Sequence, residues 1–121
     1  MKGFVAGSVA LAVALAVNGA AAQQVIKIGV VGPLTGAFAA VGQSQLTGAE
    51  MRAKEINAAG GAYKIELISE DDASNCDQSV NATVKLITKD NVVAILGAMN
   101  SPCALAMVPV TKRYQIGRAH V

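Results

Sequence analysis

Between residues 25 and 110 the chain alternates short β-branched runs with stretches of helical periodicity, and this alternation constrains its fold more than any other feature. The run Val25-Ile26-Lys27-Ile28-Gly29-Val30-Val31 is β-rich and stops at Gly32-Pro33. Over residues 43–58, Leu46, Ala49, Ala53 and Ile56 recur at the spacing of one helix face, and Gly60-Gly61 closes that helix. Tyr63-Lys64-Ile65-Glu66-Leu67 alternates apolar with charged residues, as a strand with one wet face does. Asp77 is placed to cap a second helix that turns Val80, Val84 and Ile87 inward. Val92-Val93-Ala94-Ile95-Leu96 is apolar throughout, which predicts a central strand covered on both faces. Ser101-Pro102 reads as an N-cap followed by proline at the first helical position, and Pro109 predicts a kink or restart in the third helix.

Three βα units in succession imply an α/β fold of three layers, with parallel strands and right-handed crossovers. The alternating second strand belongs at an edge and the apolar third strand inside, giving the order 2-1-3. The direction of connection reverses between strands one and three, and ligands of open α/β sheets bind at such a switch point. The loops there are residues 32–42, 71–76 and 97–103.

Residues 1–22 have a different character. Lys2 precedes a 14-residue apolar run over residues 4–17, and Ala20-Ala21-Ala22 suits a signal peptidase, with Gln23 as the first mature residue. A membrane anchor is the competing reading, but the run falls short of the ~20 residues that span a bilayer. Secretion to an oxidising compartment, the periplasm, follows. Charge is quiet: ten basic residues less Lys2 and Arg118 leave eight, against eight acidic ones. No basic cluster interleaved with aromatics exists to attract nucleic acid.

The loops offer little catalytic chemistry. Gly29, Gly32 and Gly36 do not fit a dinucleotide-binding pattern, and no phosphate-loop lysine follows. Asp71-Asp72 reads better as a turn capping the next helix than as a metal or phospho-acceptor site. Ser101 lacks a histidine partner, since the one histidine is His120 near the end, so nucleophilic catalysis is not expected. A serine at a helix start has two uses: capping the helix, or offering its hydroxyl and the nearby amides to a carboxylate. The chain is expected to be no enzyme and to need no cofactor or metal.

Ile28-Gly29-Val30-Val31-Gly32-Pro33-Leu34-Thr35-Gly36, then Gly42, then Thr47-Gly48-Ala49-Glu50, resembles the start of mature periplasmic branched-chain amino acid binding proteins. Ile56-Asn57-Ala58-Ala59-Gly60-Gly61, Glu70-Asp71-Asp72-Ala73 and the stretch from Gly97 to Pro109-Val110 continue the resemblance in register. Those proteins are soluble receptors of ABC importers with a two-lobed type I periplasmic binding fold. The resemblance implies that residues 23–115 are part of an N-terminal lobe, one wall of an interlobe cleft. It implies a monomer that delivers a branched-chain amino acid, or a related small amide or acid, to an inner-membrane permease. The alternative is the ligand-binding ectodomain or accessory subunit of an extracytoplasmic sensor. Ser101 matches the serine after strand three that hydrogen-bonds the ligand, with Asn100, Phe38 and Val41 beside the same cleft. Val41 stands where leucine-binding members carry a tyrosine lining the pocket.

The family's loop cysteines fall two and three positions earlier than Cys76 and Cys103. Both cysteines follow strands that flank strand one, and the compartment is oxidising, so they are expected to form a disulfide with their loops leaning over that strand; the competing reading is two free thiols. Residues 116–121 read as a non-native tail, because the family leads there into an apolar fourth strand whereas this chain turns to Arg118 and His120, with no strand expected after Gln115 to partner the open side of strand three. One codon choice for this hexapeptide also spells the opening bases of a widely used short-read sequencing adapter. Mass spectrometry of exported protein should find Gln23, or its pyroglutamate, as the first residue. A mature protein still beginning at Met1 would contradict the secretion reading.

Overall fold

The computed structural model describes residues 22–120; the apolar run at residues 4–17, expected to belong to a signal peptide, lies outside the described residues. The elements are β1 (Gln24–Gly32), α1 (Ala39–Ala58), β2 (Tyr63–Asp71), α2 (Cys76–Thr88), β3 (Ala94–Leu96), α3 (Ser101–Tyr114) and β4 (Gly117–Ala119). All strand pairs are parallel, in the order β2-β1-β3-β4. The expected order 2-1-3 therefore holds, with one strand added at its open side.

That addition corrects the expectation that no strand follows Gln115. Gln115 ends α3 in the left-handed region at φ 53°, and the amide of Ile116 donates to the Thr111 carbonyl at 3.2 Å. The chain then turns so that Ala94 pairs with Gly117 and Leu96 with Ala119. An open strand edge presents unpaired backbone groups, and an extended segment of almost any composition can meet them. Ile116 packs against the core, and Arg118 donates to the Ala104 carbonyl at 3.0 Å.

The chain moves one way from β1 to β2 and the other way from β2 to β3, so right-handed crossovers send α1 to one sheet face and α2 to the other. α3 joins α2. The core lies on that face, where Val31, Leu86, Ile95, Cys103 and Met107 are fully buried together. Gly29 is what lets α2 approach β1, since a Cβ there would stand 2.8 Å from Leu86 Cδ1.

The inner face of α2 is rotated by one position from the expected stripe. Ser79, Ala82, Thr83 and Leu86 are buried, while Val80, Val84 and Ile87 are half-buried. Burying hydroxyls is tolerable because both are satisfied: Ser79 Oγ donates to Asp72 at 2.8 Å and Thr83 Oγ1 to the Ser79 carbonyl at 2.8 Å. The cap of α2 is Asn75 rather than Asp77; its side chain accepts from the Gln78 amide at 3.1 Å, leaving Asp77 in the first turn, where it suits the helix dipole.

Two expectations about β3 and α3 also need correction. β3 is buried on the α2–α3 face, where Ile95 joins the core, but only partly covered on the other, where Ala94 and Leu96 are half-buried because α1 stands over β1 and β2. On that side Ile28, Ala49, Ala53, Ile56, Ile65, Leu67 and Leu96 line an open apolar groove of about 210 Å³. α3 is continuous through Pro109, so the helix does not restart there. The carbonyl that loses its donor belongs to Leu105, and both residues are exposed.

Leu86 fills the space between α2, β1 and β3, so Leu86→Ala should lower unfolding stability by about 2–5 kcal/mol. Urea denaturation followed by circular dichroism measures it, and a change under 1 kcal/mol (roughly a surface-site effect) would contradict this packing.

Candidate functional site

The carboxyl ends of β1, β2 and β3 carry three loops at one end of the sheet, over residues 33–38, 72–75 and 97–100. The third loop presses on the first strand. At Gly97 φ is +127°, and a Cβ would stand 2.0 Å from the Val31 carbonyl oxygen, so only glycine fits this crossing.

Two of the expected site residues lie on the first loop and its helix. Phe38 is the residue before α1 and Val41 sits in its first turn; they are 57% and 47% exposed, large for apolar side chains on a folded surface. The other two open α3. Asn100, not Ser101, is the N-cap, and neither makes a side-chain capping bond. Ser101 is thus the first helical residue, with its hydroxyl exposed and unspent. The first backbone bond of the helix runs from the Ala104 amide to the Asn100 carbonyl at 2.9 Å. The amides of Ser101 and Cys103 precede it, and Pro102 has none. A hydroxyl, an amide side chain and the positive end of a 14-residue helix stand together there, the donor set that a carboxylate accepts.

Cys76 and Cys103 are bonded, with an S–S distance of 2.10 Å and Cα atoms 4.3 Å apart. The crossover itself brings α2 onto the face of α3, and the bridge joins the first turns of neighbouring helices. Cys103 lies two residues beyond Ser101, so the bond pins the start of α3 from its buried side.

Sequence reasoning missed the part played by the paired aspartates. Among the described residues no cluster of histidine, cysteine and acidic side chains could hold a metal ion. Asp72 is buried at the start of the second loop, accepting from the Ser74 amide at 2.9 Å and from Ser79. Asp71 reaches across to the first loop instead. It accepts from the amides of Leu34 at 2.8 Å and Thr35 at 3.3 Å, from the Thr35 hydroxyl at 2.5 Å, and from the Ala73 amide at 2.9 Å. The Thr35 hydroxyl first, then the surrounding amides, hold its carboxyl below the usual carboxylate range. The signal available in the sequence was the position of Asp71 at a strand end; nothing marked Thr35 as its partner.

With this geometry in view, residues 25–116 match the periplasmic binding protein family. The chain belongs to that family. An amino acid binding protein of Pseudomonas aeruginosa is 37% identical over 91 residues, which are 74% of this chain and 24% of that protein. Among solved structures, the branched-chain amino acid transporter substrate binding protein of Streptococcus pneumoniae, in complex with isoleucine, superposes with a TM-score of 0.76. It is 30% identical, and the match covers 80% of this chain and 28% of that one. A solute binding protein of an ABC transporter from Rhodopseudomonas palustris, in complex with 3,4-dihydroxybenzoic acid, gives a TM-score of 0.73 at 28% identity, over 79% of this chain and 26% of that one. This family member therefore spans about a quarter of the length of these relatives.

The lowered carboxyl of Asp71 has a pH consequence. The folded protein holds that proton less tightly than the unfolded chain does, so the contribution to stability is complete above the unfolded value near 4 and is lost as pH falls through the folded one. Denaturation at pH 7 and pH 3 should show Asp71→Asn less stable than the parent at pH 7 and closer to it at pH 3. A constant gap between the two proteins would contradict this assignment.

Proposed function

We propose that this family member is the substrate-binding subunit of an ABC importer, working in the periplasm, and that residues 23–115 form one wall of its ligand cleft. On this reading residues 1–22 are a cleaved signal peptide and the partners are a small ligand and an inner-membrane permease. The protein binds as a monomer and carries out no chemistry. The observation that carries the reading is the opening of α3: Ser101 has an exposed hydroxyl that no capping bond consumes, beside the uncapped Asn100. The two ligands named for the Streptococcus and Rhodopseudomonas proteins, isoleucine and dihydroxybenzoic acid, share a carboxylate and little else. A donor set suited to a carboxylate is therefore the common requirement, and it is what the start of α3 offers. The rest of the ligand would then meet Phe38 and Val41. Val41 is smaller than an aromatic residue and leaves room at that position, which suits a branched aliphatic or compact acid.

A single wall cannot enclose a ligand, since affinity in such a cleft depends on burying most of the ligand surface and on closure. Residues 23–121 alone should bind leucine weakly, and micromolar binding by that piece would contradict the half-site reading. In the two-lobed protein Ser101→Ala should weaken leucine binding by roughly 1–3 kcal/mol, because a charged partner loses its donor. Ser101 does not cap the helix, so the substitution tests the ligand contact without removing a cap. Isothermal titration calorimetry measures it, and unchanged affinity would leave Ser101 outside the site.

A further inference from the structure

Phe38 and Val41 are exposed and make no part of the core, so their direction comes from whatever anchors the loop that bears them. That loop has two anchors. At its far end Gly42 lies against the Pro33 carbonyl so closely that a Cβ would stand 1.9 Å from the oxygen. At its near end the anchor is the carboxylate of Asp71, which belongs to a different strand. Oδ1 collects the amides of Leu34, Thr35 and Ala73, and Oδ2 takes the Thr35 hydroxyl. Between the anchors the chain has little freedom: Gly36 at φ +83° makes the turn in which the Ala39 amide donates to its carbonyl at 3.2 Å. A carboxylate ringed by backbone donors fixes where a loop runs, which a single flexible cation would not do.

We propose that Asp71 is a positioning residue for the ligand site, holding the β1–α1 loop so that Phe38 and Val41 face a ligand seated at Ser101. Its first half, the latch, stands on geometry alone; its second half rests on the ligand reading above. The latch also explains why β2, an edge strand, ends level with β1: Gly32 pairs with Asp71, which brings the carboxylate beside the loop it binds.

The test has two arms. In the first, amide hydrogen exchange is followed in the present chain. Asp71→Ala should speed exchange at Leu34 and Thr35 by about tenfold to a hundredfold, as loss of a bond to a charged acceptor implies, while Val31 and Ile95 keep their protection. Unchanged exchange at Leu34 and Thr35 overturns the latch. Thr35→Val provides a milder probe that leaves every backbone donor in place, should Asp71→Ala not fold; it should speed exchange at Thr35, and unchanged exchange there overturns the latch equally. In the second arm, leucine affinity is measured in the two-lobed protein. Asp71→Ala should raise Kd about tenfold through loss of preorganisation, with the melting transition of the unliganded protein still cooperative. If Ser101→Ala weakens binding and Asp71→Ala does not, the positioning role is overturned and the ligand reading stands. If the unsubstituted protein takes no leucine, the ligand reading fails, and the exchange arm decides the latch by itself.

Discussion

Parallel pairing along β1 is the interaction on which the remaining structure depends. β1 is matched to β2 over its whole length from Gln24 to Gly32, and to β3 around Gly29. Strands that run the same way place all their carboxyl ends together, and each connection must cross back over the sheet. Two results follow from this one constraint. The loops after β1, β2 and β3 gather at a single end, and α2 and α3 fall side by side on one face with the core beneath them. The disulfide is a product of the second result. Cys76 and Cys103 are 27 residues apart in the chain, yet they stand in the first turns of adjacent helices. Closing a loop of that size is worth about 3–4 kcal/mol by chain-entropy reasoning.

The three loops are then tied to one another by different chemistry at each junction. Asp71 joins the second loop to the first through an ion-to-amide cluster. The disulfide joins the helix after the second loop to the helix after the third. Gly97 lets the third loop lie directly on β1. Loops that are to present side chains in fixed directions, as the proposed ligand wall requires, need such support, because loops otherwise lack the packing that holds helices and strands. The residues offered to solvent, Phe38, Val41, Asn100 and Ser101, make no part of the core, whereas those behind them are buried or bonded.

Much of this was legible in the sequence, for reasons that particular residues make plain. Strand order could be read because Lys64 and Glu66 mark an edge and residues 92–96 carry no charge at all. The loops at the switch point followed from that order. What escaped depended on contacts between distant parts of the chain. The inner face of α2 was mistaken because Ser79 and Thr83 look like surface residues until Asp72 and the helix backbone satisfy them. The cap of α3 shifted by one position, from Ser101 to Asn100, a difference that periodicity does not resolve and that frees the serine. Pro109 predicts a kink or restart, and the helix does not restart there. β4 could not be read from side chains, because only backbone groups hold Gly117 and Ala119 to β3. The partnership of Asp71 with Thr35 spans 36 residues and leaves no local pattern.

The central proposal is that the start of α3 grips a carboxylate, with the first loop turned toward the remainder of the ligand. The most direct measurement is a crystal structure of the two-lobed protein with leucine bound. A carboxylate oxygen should lie within about 3 Å of Ser101 Oγ, the ordinary hydrogen-bond distance, with the aliphatic chain against Val41. A leucine carboxylate held elsewhere, with the Ser101 hydroxyl still open to water, would contradict it.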